Sequence, residues 1–112
     1  MAEGVRIRDV ENEKARRRAA RQMIADYHEQ QLRVLLDHVR DGFARMEAGE
    51  IDPFDLDELI HHYKRSTRGL WSFCGSSGGG WERAALMLEW SREAGEEETD
   101  WWEFGRPRRR GD

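Results

Sequence analysis

The sequence predicts an all-α protein: an antiparallel helical hairpin, a long helix then a shorter one, with a short third helix packed on it. Three observations carry this expectation. Residues 9–48 hold no proline, and their one glycine is Gly42. Leu32, Leu35, Leu36, Val39, Phe43 and Met46 recur at the i, i+3, i+4, i+7 spacing of a helix with one buried face. Finally, Ala48-Gly49-Glu50-Ile51-Asp52-Pro53-Phe54-Asp55-Leu56 reads as one helix stopping and another starting.

The first helix is expected from about Asp9 to Ala48. Ile24, Ala25 and His28 extend its apolar stripe backwards, with His28 as a core histidine. Ala19, Ala20, Met23, Tyr27 and Val34 make a second, thinner stripe. A helix with two apolar stripes touches two neighbours: the first stripe should meet the second helix, the other a further helix or another copy of the chain. Before His28 the helix should overhang its shorter partner. That arm is rich in arginine (Arg16, Arg17, Arg18, Arg21) and reads first as a solvated face with spaced pairs such as Glu13–Arg17. Its functional reading is a contact for nucleic acid or an acidic protein, the less favoured partner class at a net charge of -4.

At the corner, Gly49 suits the left-handed position past a helix end, Asp52 the N-cap, and Pro53 the first helical position. Ile51 and Leu56 have the spacing of a hydrophobic staple.

The second helix is expected from Pro53 to about Phe73, with Leu56, Leu59, Ile60, Tyr63, Thr67, Leu70 and Cys74 on one face. Cys74 on that face reads as a small buried hydrophobe. Glu58-Leu59-Ile60-His61 has the Glu-x-x-His spacing used in di-metal carboxylate bundles, and His62 is adjacent. Such a bundle needs two copies of the motif, and the sequence holds one. Glu58, His61 and His62 therefore read first as solvated surface, and as metal ligands second.

Gly75-Ser76-Ser77-Gly78-Gly79-Gly80 lacks the Gly-Lys-Ser/Thr ending of a phosphate loop and reads as a connector. Trp81 to Glu93 follows as a short helix, apolar on several sides. In the tail, Trp101, Trp102 and Phe104 follow an acidic run and precede Arg106-Pro107-Arg108-Arg109-Arg110. These aromatics must either fold back or anchor in a partner's groove.

With 38% of residues charged, the core is small, so partners are expected to cover apolar surface. The domain plan is a disordered lead (1–8), a helical domain (9–94), and an acidic-aromatic and basic tail (95–112). One cysteine excludes an intrachain disulfide, and no apolar leader or bilayer-length run occurs, so a cytoplasmic chain is expected.

The stretch from Leu35 to Cys74, with Glu47-Ala48-Gly49-Glu50 at its corner, resembles the helical hairpin of the small subunit of exonuclease VII. Trp71, the glycine linker and the aromatic tail depart from that pattern, so no role is carried over.

The functional expectation is a non-enzymatic protein–protein interaction module, an accessory, regulatory or antitoxin-like subunit that needs no cofactor. Its partner is another protein or itself, as a homo-oligomer. Met23, Tyr27, Val34, Trp81, Trp90, Trp101, Trp102 and Phe104 are the candidate contacts. The alternatives are a metal-binding oligomer and a nucleic-acid-associated protein.

Overall fold

A computed structural model describes residues 6–75 and 80–107. Among these residues, a 3-10 turn, Ile7–Asp9, is followed by four helices: α1 (Glu13–Glu47), α2 (Pro53–Cys74), α3 (Gly80–Glu93) and the one-turn α4 (Trp101–Phe104). No strand occurs among the described residues, and none of their helices is long and apolar enough to cross a membrane. The all-α hairpin with a third short helix packed on it is the observed fold.

The corner is built as its residues require. Gly49 adopts φ 80°, its N–H reaches Met46 O at 3.0 Å, and Glu50 N–H reaches Arg45 O at 2.9 Å. This 5→2 and 6→1 pairing satisfies carbonyls that the end of α1 leaves free. On the other side, Asp55 N–H donates to Asp52 Oδ1 at 2.8 Å, and Asp52 N–H donates to Asp55 Oδ2 at 3.1 Å. This is a capping box with aspartate at both positions. At its start α1 is shorter than its sequence suggests. Residues 7–9 close into the 3-10 turn, and Asn12 takes the cap, accepting from Ala15 N–H at 3.0 Å.

The chain divides into two compact units, each assembled from two stretches of sequence. The first comprises the residues up to Glu29 together with Trp71–Glu98. Its core joins Ala20, Ile24 and Tyr27 of α1, Cys74 at the end of α2, and Ala84, Ala85 and Leu88 of α3, all buried. Tyr27 meets Phe73 edge-on, with ring centroids 5.8 Å apart. Residues assigned by sequence to the lead fasten α3 here. Ile7 is 4% exposed and its N–H donates to the buried Glu89 carboxylate. Arg8 pairs with Glu93 at 2.5 Å and Arg6 with the same carboxylate at 3.3 Å. These guanidiniums, Arg8 first, hold the Glu93 carboxyl below its usual range.

The second unit comprises Gln30–Leu70 and the residues from Thr99 onward. Here α1 and α2 run close together. A Cβ on buried Gly42 would lie 3.0 Å from one Leu56 methyl and 3.1 Å from one of Leu59, so only glycine lets the helices approach this closely. Leu35 (1% exposed), Leu56 and Leu70 fill the seam, with Ser66 fully buried beside them. Burying each large apolar side chain stabilises by about 1.5–3 kcal/mol.

Candidate functional site

The tail is folded back onto the hairpin of the second unit. Asp100 caps α4 by accepting from Glu103 N–H at 3.1 Å, which turns the next two residues inward. Trp101 is 7% exposed, edge-on to Phe104 at 5.3 Å. Trp102 lies between two imidazoles. His62 stacks on one face at 3.6 Å and 19°, and His38 on the other at 4.0 Å and 3°. His62 also donates from Nε2 to Trp102 O at 2.6 Å, which fixes the proton on that nitrogen. Arg65 Nε donates to Gly105 O at 2.8 Å. A Cβ on Gly105 would overlap Ser66 Oγ and the Ser66 backbone, so α4 rests directly on α2.

With α4 on the His38–His62 side, the opposite side of this hairpin carries no helix among the described residues of its own unit. Leu36 is 49% and Phe43 46% exposed, in line along α1 with the half-buried Leu32 and Val39. Half-buried Ile60 and Tyr63 continue the surface on α2. The sequence assigns Leu36 and Phe43 to the contact with the second helix, but the apolar stripe is wider than the seam. Leu35 and Gly42 take the centre of that seam, and residues further round the helix keep one side in solvent.

The other contact candidates divide between interior and surface. Tyr27 (4% exposed) and Trp101 are used in packing, and Trp102 in the imidazole sandwich. Met23 is half-buried, and Trp81 lies beneath the Arg21 guanidinium, 5.1 Å from its ring centroid. Val34 (48%), Trp90 (56%) and Phe104 (61%) are open, with Phe104 laying its ring over Gly69.

The metal candidates do not converge. His62 is committed to Trp102, and His61 Nδ1 sits 2.8 Å from Asp57 O. Glu58 and His61 line a shallow cleft with Arg65 and Pro107. No group of three or more histidine, cysteine, aspartate or glutamate side chains is placed to hold a metal ion among the described residues. In the basic arm, Arg16 donates to Val10 O at 3.0 Å and Arg17 pairs with Glu13 at 2.7 Å. Arg18 is exposed. Arg108–Arg110 and the linker residues 76–79 lie outside the described residues.

Two features escape sequence reading. His38 gives no signal in the sequence, because nothing in its spacing announces an indole 64 positions away. Ser66 and Gly105 are small residues whose value lies in what they let approach. A serine on the apolar side of α2 is the one signal that could have marked the docking point.

Compared with protein-family models, with curated proteins and with solved structures, the chain matches none.

Proposed function

We propose that this chain is a non-enzymatic interaction module that pairs helix against helix through Leu32, Leu36, Val39 and Phe43 of α1 with Ile60 of α2, the occupant being a second copy of the chain. The observation that carries this reading is the half-exposed Leu36–Phe43 line beside a seam that Leu35 and Gly42 already fill. Apolar residues in register along a helix are the surface that a second amphipathic helix fits. Here α1 supplies both the surface and a helix of matching chemistry, so a two-fold axis brings the stripe against itself. Asp37 and Arg40, exposed and ion-paired to each other beside it, supply a polar rim. The groups that a catalytic reading would call on have other work. His38 and His62 hold Trp102, and burial pushes the Cys74 thiol up to about 11, far from a nucleophile's range.

Sedimentation equilibrium tests the reading. The wild-type chain is expected to be dimeric at about 100 µM, within reach of a micromolar interface. Leu36→Lys with Phe43→Lys should give a monomer with an unchanged helical circular dichroism spectrum, since both positions are half in solvent. A wild-type monomer at that concentration, or a double variant that still dimerises, would refute it.

A further inference from the structure

The first unit contains a cleft that its own packing does not need. Its volume is about 220 Å³, and it is lined by Arg21, Ile24 and His28 of α1, Trp71 and Cys74 of α2, and Trp81 of α3. Positions 21, 24 and 28 fall on one face of α1 at the i, i+3, i+7 spacing, so the helix places a cation, an aliphatic wall and an imidazole in a row. Trp71 stands edge-on to His28, with ring centroids 4.2 Å apart, and remains 49% exposed.

The cleft has one polar group closed to a ligand and one open to it. His28 Nε2 is buried without a hydrogen-bond partner among the described residues. It is shut off from the cleft, so it is a cost of packing and not a contact for a ligand. Arg21 stacks on the Trp81 ring at 5.1 Å and has no carboxylate within ion-pair distance among the described residues. Of the other arm arginines, Arg16 and Arg17 are engaged with protein oxygens, and Arg18 is exposed and does not line the cleft. A guanidinium over an indole still has N–H groups to donate, and its planar fork matches a carboxylate.

We infer that this cleft is a binding site for a small aromatic carboxylate, with its ring against Trp71, Ile24 and Trp81 and its carboxylate on Arg21. Each requirement has its own source. The apolar walls and the two indoles select a flat ring. The volume limits the ligand to one or two fused rings, below the ~300–1,000 Å³ of drug-sized pockets. The lone cation selects a single negative charge. The thiol of Cys74 contributes surface and no chemistry, since burial keeps it protonated. The site belongs to the first unit, so it is independent of the stripe on the second.

Isothermal titration calorimetry of the full chain with 1-naphthoate as probe, beside neutral 1-naphthylmethanol, tests the assignment. The expected result is saturable one-to-one binding of the acid and binding of the alcohol about tenfold weaker, the discrimination of one charge-assisted contact. Arg21→Gln, at an exposed position, should bring the acid down to the alcohol's level. Ala25→Leu, also exposed and at the cleft, should abolish binding of both by filling the space, with the helical spectrum retained. No saturable binding of 1-naphthoate up to about 5 mM, the millimolar limit of fragment affinity, overturns the proposal. So does equal binding of acid and alcohol, or binding that either variant leaves unchanged.

Discussion

His28 shows how one side chain ties sequence to stability. It falls where the apolar stripe of α1 places it, but no described residue pairs its Nε2. Burial lowers its pKa, because the charged ring would lose its hydration. The sign of the pH effect follows. A lowered folded value means that the unfolded chain binds more protons as pH falls below the ordinary histidine value of about 6.5. Stability is therefore lost on acidification, starting near that value and ending at the lower folded one. Urea midpoints of wild type and His28→Leu at pH 7.5 and pH 5.5 check this. The wild type should lose more of its midpoint, and equal losses would assign the pH dependence elsewhere. The neighbouring Trp71 is a residue that sequence reading left unused, since a tryptophan at that point on α2 looks like ordinary surface until His28 is seen beside it.

At the scale of elements, helix ends were legible and helix partners were only partly so. Gly49, Asp52 and Pro53 announce the corner because capping is local chemistry, readable within four residues. Asp52→Ala should cost about 1 kcal/mol, the usual worth of an N-cap, measured as a shift of the chemical denaturation midpoint. A change within error would mean that Asp55 or solvent satisfies the same N–H groups. By contrast, α4 is one turn long and has no periodicity to read. Its placement depends on Asp100 turning the chain, on Ser66 being small, and on Gly105 having no Cβ. Gly105→Ala should lift α4, because the added carbon would come within 2.7 Å of Ser66 Cα and a helix backbone cannot yield. A red shift and loss of structure in tryptophan fluorescence would report the release. An unshifted spectrum with intact protection of the Trp102 amide would rule it out. The 3-10 turn at Ile7–Asp9 escaped for the same reason: its hold on Glu89 and Glu93 joins residues more than 80 positions apart.

At the scale of the whole molecule, the periodic pattern of α1 and α2 shows one continuous hairpin, but the chain sorts into two compact units. Long unbroken helices hide such a division, because nothing in their residues marks the point where one set of neighbours gives way to another. Each unit is closed by a later segment, α3 for the first and α4 for the second. Ending the chain at Glu98 should therefore act selectively. Amide hydrogen exchange is expected to speed up in residues 35–42 and 56–70, where α4 is lost, and to change little in residues 20–27. Uniform acceleration along α1 would show the two units to unfold as one cooperative block. A different use follows from the ring clamped by His38 and His62. Lifting the tail would take both imidazoles off Trp102, so its brightness is an optical gauge, already installed in the chain, of whether the tail is seated.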